Sequence, residues 1–482
     1  MSIPPFPNSE KRPLCVDVDG TVIATDLLYE SLLGAAKNSP FSIVLIPFWL
    51  LGGLPTLKRR LAELAQLDVQ HLPLNTELVD HLQKVAEDGT PVVLASASYQ
   101  SLVGDVADRL GFVSEALGTS GEVNLKGQAK AALLTERFGV QGFDYIGDSN
   151  ADLPVWESAH GVGIVSRSKE LTESFSAKYP SGEVFPSIQQ GGISRWIRAL
   201  RVYQWLKNLL IFVPLILGHH LFDVPALRGA VLALISFSMC ASAVYILNDL
   251  LDLESDRAHH RKRNRPFAAG TLPISKGLLV IPLLLLAGFC AALFVSSKFI
   301  AILGVYLLFT TAYSFRLKQI VLVDIILLAM LYTVRIVAGG VASQVAVSQW
   351  LLGVSMFMFL SLACVKRFSE LLVLKERNQR ETRGRGYTVE DLEQIAMFGA
   401  ASGYIAVLVL ALYTSSADVV QLYHTPKVIW LVCPMVLYWI SRVWLLARRG
   451  LVHDDPLVFA MRDKVTYIVG VLVAVILVAA KW

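Results

Sequence analysis

Nine long apolar segments follow one another between residue 209 and the end of this 482-residue sequence. They cover residues 209–222, 228–247, 277–296, 299–315, 319–338, 349–365, 394–414, 428–447 and 465–481. Each is close to the roughly 20 residues that an α-helix needs to cross a bilayer. The charged fraction of the chain, 17%, is also below the roughly 25% that is typical of soluble domains. These features predict an all-α, nine-span membrane domain over residues 195–482 and exclude a disordered or coiled-coil protein.

Lysine and arginine residues are concentrated in alternate connections between these segments. The basic residues just before the first span are Arg195, Arg198, Arg201 and Lys207. The basic residues expected on the opposite side are Arg228, Lys298, Lys427 and Lys481. By the positive-inside rule, we expect an inner (cytoplasmic) membrane protein whose N-terminal domain and active sites are cytoplasmic and whose C-terminus is outside. Because residues 1–20 contain Asp17 and Asp19 and no apolar core, we expect no signal peptide.

The first 180 residues have a different pattern, in which short apolar runs end in polar turns. The runs lie at 14–22, 91–98 and 143–153, and helical patterns such as 78–89 lie between them. Strands that alternate with helices predict a parallel, Rossmann-like α/β sheet, followed by a linker at 181–194. The net charge of +4, from 43 basic and 39 acidic residues, does not indicate a nucleic-acid partner.

Each of the three apolar runs ends in residues suited to phosphate or metal chemistry. Asp17 and Asp19 lie within the first of these segments, Ser96 lies near the end of the second, and Asp148 and Asp152 lie in the polar turn of the third. The carboxyl ends of parallel strands share one edge of a sheet, so we expect these side chains to meet. Two carboxylates two residues apart suit a nucleophile and a general acid/base. For DVDGT taken alone, a helix-capping turn is the alternative interpretation.

These motifs, in this order over about residues 12–170, resemble the haloacid dehalogenase superfamily in its phosphoserine-phosphatase-like branch. The resemblance implies a phosphatase with a Rossmann-like fold. It implies that Asp17 is the nucleophile, which forms an aspartyl-phosphate, and that Asp19 is the acid/base. It also implies that Ser96 binds the phosphoryl group.

The same resemblance implies a metal ion and a lysine in the phosphatase site. Mg²⁺ would be held by Asp17, Asp148 and Asp152, since oxygen-rich clusters are what this ion prefers. The segment NLKGQAKAAL offers two lysines, Lys126 and Lys130. We prefer Lys130 because a helical pattern surrounds it.

A cap domain is expected at about residues 26–75, after the first motif. It contains an unusually apolar stretch at 41–55, in which Pro47 and the short length argue against a membrane span. Contact with the membrane or with the second domain is the favoured explanation. A buried cap helix is the alternative.

An acidic motif follows the second predicted span. Asp249, Asp252 and Asp256 have the spacing i, i+3 and i+7, so on one continuous helix they share a face, next to Asn248. Carboxylates at the edge of a membrane are expected to be functional. Mg²⁺ that bridges them to a diphosphate would relieve their mutual repulsion.

Nine spans and this acidic motif resemble the UbiA-type intramembrane prenyltransferase superfamily over about residues 195–482. Its members hold a prenyl diphosphate through Mg²⁺ with two acidic motifs, after spans two and six. Here the second position reads ACVKRFSELL and contains no aspartate pair. The segments at 200–214, 313–318 and 366–370 instead resemble the decaprenyl-phosphate phosphoribosyltransferase branch. Its donor is phosphoribosyl diphosphate and its acceptor is a polyprenyl phosphate.

That branch implies catalytic and Mg²⁺-binding roles for Asp249, Asp252 and Asp256. Basic residues would bind the phosphate of the sugar and that of the lipid, because cations pair well with phosphate monoesters. The candidates are Lys207, Arg316, Lys318, Lys366 and Arg367, with Glu370 to orient groups or bind a second cation.

The fifth span contains two further charged residues. Asp324 and Arg335 are eleven residues apart and share a helix face, with Tyr332 one turn from Arg335. At about 1.5 Å per residue, the two charges are too far apart for a direct pair. Substrate binding by Tyr332 and Arg335 and a structural charge network both remain open.

Together, the two halves predict a bifunctional, Mg²⁺-dependent membrane enzyme. It would transfer 5-phosphoribose from phosphoribosyl diphosphate to a polyprenyl phosphate, and its N-terminal domain would remove the 5-phosphate. The product would be a polyprenyl-phosphoryl-ribose for ribose or arabinose donors. One alternative is a prenyltransferase acting on a prenyl diphosphate and a hydrophobic acceptor. Another is a membrane carrier with a regulatory phosphatase domain.

Overall fold

The computed structural model describes residues 11–188, 191–378, 385–416, 419, 423–452 and 456–481. Two predicted segments lie partly outside these ranges: the linker at residues 189–190, and the basic connection after the sixth span at residues 379–384. The chain forms two compact units. The α/β unit comprises Met1–Arg201 and Tyr245–Pro282, and the helical unit comprises Val202–Val244 and Leu283–Trp482.

A six-stranded parallel sheet, in the order β3-β2-β1-β4-β5-β6, forms the centre of the α/β unit. The strands are β1 Leu14–Val16, β2 Val92–Tyr99, β3 Glu115–Thr119, β4 Asp144–Gly147, β5 Val162–Val165 and β6 Glu183–Phe185. Val16 aligns with Leu94 on β2 and with Ile146 on β4, so the polar residues after these strands start at one level. The predicted parallel sheet is therefore confirmed.

Helices cover the sheet and bury its strands. They are α4 Thr76–Glu87, α5 Gln100–Leu110, α6 Gln128–Phe138, α7 Leu153–Ser158 and α8 Lys169–Lys178. Val92 and Val93, neighbours on β2, are both fully buried although they point to opposite faces. Continuous apolar runs such as VVLA are typical of strands in a sheet with both faces covered.

Strand β6 lies within the predicted linker. Its residues pair with β5, from Gly163 opposite Glu183 to Val165 opposite Phe185. The strand order places β6 at the edge of the sheet, where a strand pairs on one side.

Three helices and a short 3₁₀ turn lie between β1 and α4, where the cap was predicted. The helices are α1 Leu27–Asn38, α2 Ser42–Leu51 and α3 Gly53–Ala65, and the turn is Val69–His71. Asp26 caps α1, because its side chain accepts a hydrogen bond from the backbone N–H of Leu28. Helix α2 is apolar but mostly exposed, so the alternative of a buried cap helix is wrong for this segment.

The second part of the α/β unit contains the ends of two long helices and the loop that joins them. Helix α9 (Ile193–Ala199) precedes it, and α11 (Val224–Leu251) enters it from the helical unit. After α11 comes the short helix α12, Leu253–Ala258, and then the start of α13, Ile274–Leu293. The acidic motif was expected on one continuous helix, but the helix is interrupted at Asp252, which has φ −97° and ψ 11°.

The helical unit is built from the predicted membrane spans. Besides α11 and α13, its long helices are α14 Ser297–Phe315, α15 Val323–Ser343, α16 Gln349–Glu376, α17 Leu392–Thr414, Val432–Arg448 and Lys464–Lys481. Its shorter elements are the 3₁₀ segments Val202–Phe212 and Pro426–Leu431 and the helices α10 Val213–Leu217 and Pro456–Arg462. Among the described residues, eight helices are long and apolar enough to cross a membrane, or nine with one broken pair.

Two spans differ from their predicted form. The first, expected at 209–222, is a broken pair made of Ile193–Ala199 and Val202–Leu217. Arg201, which lies at the break, has a φ of +51°, a conformation that does not continue a right-handed helix. The sixth span was expected to end at residue 365, but α16 continues through the KRFSE segment to Glu376.

Candidate functional site

The first loop of the α/β unit places Asp17 and Asp19 at the carboxyl end of β1. The backbone N–H of Asp17 donates to the carbonyl of Ile146 on β4, so the loop starts as an extension of the sheet. Gly20 has a φ of +76°, which allows the chain to turn away at once. A Cβ atom added at Gly20 would lie 2.2 Å from Oδ2 of Asp148, so only glycine leaves room for that carboxylate.

Lys130 on α6 lies within the carboxylate cluster at this end of the sheet. Its Nζ is 3.0 Å from Oδ1 of Asp17 and 3.3 Å from Oδ1 of Asp152. It also donates to the hydroxyl of Tyr145 at 2.8 Å. Lys130 is 3% exposed, whereas Lys126 is exposed. The geometry therefore places Lys130, the preferred of the two candidate lysines, in the cluster.

Asp19 is held by donors from two segments. The hydroxyls of Ser96 and Ser98 both donate to its Oδ2 at 2.7 Å, and the backbone N–H of Leu27 donates to its Oδ1 at 2.7 Å. Ser98 was not predicted, although alternation along β2 puts Ser96 and Ser98 on the same side of the strand. Asp19 is thereby connected to the first residue of the cap helix α1.

Three carboxylates form a group that could hold one metal ion. One oxygen each from Asp17, Asp148 and Asp152 lies within 4.8 Å of the others. Burial raises the pKa of Asp17 well above its usual range, although Lys130 opposes this shift. Burial and the charge of Asp152 raise the pKa of Asp148 to about 7. Close carboxylates of this kind gain from a cation between them.

These oxygens match what Mg²⁺ prefers, since the ion binds carboxylates and keeps several water molecules. Asp152 also accepts from the hydroxyl of Tyr145 at 2.7 Å and from the backbone N–H of Asp148 at 3.2 Å. These contacts fix its position. The donor set of Asp17, Asp148 and Asp152 therefore fits Mg²⁺.

The acidic motif at the end of α11 is neutralised by arginines. Asp249 and Asp256 are 3% and 1% exposed. The Nη1 atom of Arg265 lies 3.0 Å from Oδ1 of Asp249 and 2.6 Å from Oδ2 of Asp256, so one guanidinium joins the two carboxylates. Arg201 makes a second ion pair with Asp249. Burial still raises the pKa of Asp256, although Arg265 opposes this shift.

Asp252 and Asn248 are half-buried, one turn apart at the helix interruption, where the N–H of Asp252 donates to the carbonyl of Asn248 at 3.0 Å. In the part of the chain that the structure describes, the only group with metal-ligand spacing is the one formed by Asp17, Asp148 and Asp152. The predicted carboxylate cluster at 249–256 is therefore an acidic pair bridged by Arg265, with Asp252 at its side.

A buried ion pair connects the acidic-motif loop to the cap. Two guanidinium nitrogens of Arg257 on α12 bind the carboxylate of Glu30 on α1, at 2.6 and 3.1 Å. Thr25 also donates to Glu30 at 2.6 Å, and Nε of Arg257 donates to the carbonyl of Ala268 at 3.1 Å. The side chains of Arg257 and Glu30 are 7% and 4% exposed.

In the helical unit, Arg335 occupies a buried polar position among aromatic rings. Its Nε donates to Oδ1 of Asn208 at 2.8 Å, and its Nη2 donates to the hydroxyl of Tyr306 at 3.1 Å. Its guanidinium also lies 5.6 Å from the centre of the Tyr332 ring, and Nζ of Lys207 lies 5.5 Å from the same ring. The structure thus brings Lys207, Tyr332 and Arg335 together.

Arg367 and Glu370 belong to a separate ion-pair network. Arg367 is fully buried, and its Nη2 lies 2.7 Å from Oδ2 of Asp324. Tyr313 donates to the other oxygen of Asp324 at 2.7 Å, and Arg367 also pairs with Glu370. Arg385 lies 3.3 Å from Glu370. Asp324 therefore pairs with Arg367, and the expectation that it does not pair directly with Arg335 is confirmed.

Three further predicted cations lie in the helical unit, two of them at the end of α14 and one inside α16. Arg316 is exposed at the C-terminus of α14, and Lys318 follows it in a 3₁₀ turn. Lys366 is half-buried within α16, next to Arg367. The sequence did not single out Asn208 and Tyr306 as partners of Arg335, and it suggested Arg265 as a phosphate-binding charge rather than as the partner of Asp249 and Asp256.

Comparisons with known proteins agree with a two-part chain. A profile of the UbiA prenyltransferase family matches residues 210–462, just over half of the sequence. The chain is 38% identical to the uncharacterized protein y4nM of Sinorhizobium fredii, over 96% of this chain and 90% of that protein. It is 34% identical to the nodulation protein NoeC of Azorhizobium caulinodans, over 56% of this chain and 87% of that protein.

A third relative is similar to the C-terminal part only. The decaprenyl-phosphate phosphoribosyltransferase of Mycolicibacterium smegmatis is 30% identical over 57% of this chain and 89% of that protein. The similarity to y4nM is the one among these that extends over nearly the whole chain, and so includes the α/β residues.

Proposed function

Because this chain belongs to the UbiA prenyltransferase family, we propose that its helical bundle transfers a group between a diphosphate donor and a polyprenyl lipid. The donor is phosphoribosyl diphosphate and the acceptor is a polyprenyl phosphate. The α/β unit then removes the 5-phosphate of the transferred ribose. The similarity to a decaprenyl-phosphate phosphoribosyltransferase supports the choice of donor and acceptor.

Two sets of charges support the transferase step. Asp249, Asp252 and Asp256 would supply carboxylates for a Mg²⁺–diphosphate leaving group once that anion takes over Arg201 and Arg265, which pair with Asp249 and Asp256 in this structure. Lys207 and Arg335 in the helical unit supply positive charge beside Tyr332 for a phosphate, with Arg316, Lys318 and Lys366 as further cations. Arg367 and Glu370 are engaged with Asp324 and Arg385, and we assign them a positioning role.

In the transfer, an oxygen of the lipid phosphate attacks the anomeric carbon of the ribose. The bond from that carbon to the diphosphate oxygen breaks, and diphosphate leaves with the electron pair. The acceptor is already an anion, so the step needs no strong base. Mg²⁺ at the acidic motif would stabilise the charge that develops on the leaving diphosphate.

The arrangement of Lys130, Asp17 and Asp19 is the observation that carries the phosphatase step. Oδ1 of Asp17 lies 3.0 Å from the Lys130 ammonium, which favours the ionised, nucleophilic carboxylate. Asp17 attacks phosphorus, the bond to the ribose oxygen breaks, and Asp19 donates a proton to that oxygen. A water molecule then hydrolyses the aspartyl-phosphate, with Asp19 accepting its proton. Mg²⁺ bound by Asp17 and Asp148 would neutralise charge on the phosphoryl group.

The two steps fit each other chemically. Transfer of 5-phosphoribose to a lipid phosphate gives a product with a terminal phosphate monoester, which is the bond that this kind of site cleaves. We therefore propose a bifunctional enzyme that makes polyprenyl-phosphoryl-ribose. We place its α/β unit in the cytoplasm and its C-terminus outside, because lysine and arginine are concentrated in alternate connections between the spans.

The test uses purified full-length protein, Mg²⁺, a polyprenyl phosphate and phosphoribosyl diphosphate labelled in the ribose. We compare the wild type with Asp17→Asn, with Asp249→Asn, and with Asp105→Asn as a control, because Asp105 is exposed on α5. The wild type and the control should form labelled lipid without the monoester. Asp17→Asn should accumulate the phosphorylated lipid, and Asp249→Asn should form little labelled lipid.

Two results would contradict the proposal. If no label enters the lipid in any variant, phosphoribosyl transfer is wrong, and prenyl transfer from a prenyl diphosphate becomes the better function. If Asp17→Asn releases the 5-phosphate as fast as the wild type does, the phosphatase step is wrong.

A further inference from the structure

The cap of the α/β unit carries an apolar hairpin that none of the steps above uses. We define this apolar hairpin as residues 41–54, which comprise α2 and the start of α3. No charged residue occurs between Lys37 and Lys58. Phe41 and Leu51, at the two ends of α2, are both 86% exposed. A group of exposed, neighbouring apolar side chains such as this one marks a binding surface.

The exposed residues of α2 point in many directions. Ile43, Val44 and Leu45 are consecutive and are 50%, 67% and 46% exposed. Successive residues of an α-helix point about 100° apart, so these three alone cover most of the helix circumference. A protein partner would cover one face of such a helix, whereas a surrounding apolar medium would cover all the exposed sides.

A narrow stripe attaches α2 to the rest of the cap. Ile46 and Trp49 are partly buried against the cluster of Ala35, Leu57 and Leu61. Ser42, one turn before Ile46, donates to the carbonyl of Ala35 at 3.3 Å. The hairpin is therefore held by its base, and the remaining sides of α2 project from the cap.

The length of α2 excludes a span. A helix of ten residues is about 15 Å long, half of the roughly 30 Å hydrocarbon core. The charged residues that flank the hairpin are exposed ion pairs: Lys37 with Glu254, and Arg59 and Arg60 with Glu63, the basic side chains being 43%, 49% and 51% exposed. An apolar tip too short to span, with exposed charged side chains at its base, is the pattern of a segment that lies in the interface of a membrane.

The same unit contains parts of membrane helices, so a bilayer is within its reach. Residues from Tyr245 onward in α11 and up to Pro282 in α13 belong to the α/β unit, and both helices are candidate spans. We propose that the apolar hairpin inserts into the surface of the lipid bilayer and anchors the cap there. The occupant is lipid, with headgroups at the level of the charged residues at the base of the hairpin.

This anchor also suggests how the phosphatase-like site receives its substrate, an extension that rests on the proposed function. Lys58, four residues after the hairpin, donates to the carbonyl of Ala97 at 2.5 Å and to Oδ1 of Asn124 at 2.7 Å. A small pocket beside it is lined by Leu27, Leu28, Ser31, Lys58, Ser98, Tyr99 and Leu102. Since Ser98 also binds Asp19, a bilayer-anchored cap holds this pocket next to phosphates carried by membrane lipids.

The test measures lipid contact in the full-length protein with two matched valines. Val44 in the hairpin is 67% exposed, and Val140, after α6, is 74% exposed. Each is changed to cysteine and labelled with an environment-sensitive fluorophore in a Cys290→Ser background, because Cys290 is the exposed native cysteine among five and the other four are buried. The protein is reconstituted into vesicles of phosphatidylcholine and phosphatidylglycerol, with or without lipids brominated high on their acyl chains.

Brominated lipids should quench the label at Val44→Cys and leave the label at Val140→Cys unchanged. Equal emission from Val44→Cys with and without brominated lipids overturns the proposal. If the label at Val44→Cys is not quenched and unlabelled Val44→Cys instead forms efficient cross-links between two chains, the proposal is also overturned, and the occupant is a second copy of the chain.

A second comparison separates the anchor from the proposed function. Val44→Glu should slow removal of the 5-phosphate from the lipid-linked product and leave hydrolysis of soluble p-nitrophenyl phosphate unchanged. Equal slowing of both substrates contradicts a role in lipid access. If the wild type hydrolyses neither substrate, the phosphatase proposal is wrong, and the quenching comparison alone decides whether the hairpin inserts.

Discussion

The ion pair of Arg257 and Glu30 provides a sharp test of how the acidic-motif loop is held. Arg257→Met removes a guanidinium from a carboxylate that is 4% exposed, and so leaves Glu30 buried without a counter-charge. Breaking a buried pair by removing one partner costs about 3–5 kcal/mol. We expect this loss of stability in the α/β unit for Arg257→Met and, for the same reason, for Glu30→Met.

The double variant should be much less affected than the sum of the two single variants. Replacing both charges by apolar groups removes the uncompensated charge. What remains is the loss of two hydrogen bonds, from Thr25 to Glu30 and from Arg257 to Ala268, each worth about 0.5–1.5 kcal/mol. We therefore expect the double variant Glu30→Met/Arg257→Met to lose about 1–3 kcal/mol of unfolding free energy. If the single effects were additive, the loss would be about 6–10 kcal/mol.

A surface pair between the same two helices is the matched control. Lys37 on α1 and Glu254 on α12 are 3.7 Å apart, with side chains 43% and 61% exposed. Lys37→Met should change the stability by less than about 1 kcal/mol, because solvent screens such pairs. Pulse proteolysis of the full-length protein in detergent, over a urea series, measures the free energy of opening for each variant. Additive single effects in the double variant would refute the coupling between Arg257 and Glu30.

Three further predictions concern the proposed phosphatase site at the carboxyl end of β1. Gly20→Ala should reduce phosphatase activity and Mg²⁺ affinity, because the added Cβ would lie 2.2 Å from Oδ2 of Asp148. The positive φ at this position adds a cost of about 1–2 kcal/mol for a residue with a Cβ. Phosphatase assays over a Mg²⁺ titration test this. Lys130→Met should abolish release of the 5-phosphate and Lys126→Met should not, as phosphate release from the lipid-linked product will show. Burial and the charge of Asp19 raise the pKa of Asp26 to about 6, so the protonated form is favoured by folding. The stabilisation from the protonated Asp26 carboxyl is fully present below about pH 4 and is lost as the pH rises through 6. In Asp26→Asn, the unfolding free energy measured with urea should therefore change less between these pH values than in the wild type.

The positions of the strand-end residues were predictable from the sequence. Short apolar runs end directly before Asp17, Asp19 and Asp148, and parallel pairing then requires these residues to share one edge. The membrane helices were predictable for a similar reason, since the length and composition of each segment are local properties.

The charge partners were not predictable in the same way. Arg257 and Glu30 are separated by 227 positions in the chain, and Arg367 pairs with Asp324 on a different helix. Such pairs depend on tertiary packing, which leaves no periodic signal in the sequence. The same limit explains the acidic motif, where regular spacing suggested a cluster of carboxylates and the folded loop places Arg265 between two of them.

The α/β unit is assembled from two stretches of chain, and this has a consequence for its biosynthesis. Its first stretch ends at Arg201, but its second runs from Tyr245 to Pro282, within helices that must enter the membrane. A ribosome therefore completes the sheet well before it has made the residue that neutralises Glu30. The nascent N-terminal part should remain less stable until the loop carrying Arg257 emerges and binds it. Maturation of the α/β unit thus depends on synthesis of the loop between the two long helices α11 and α13.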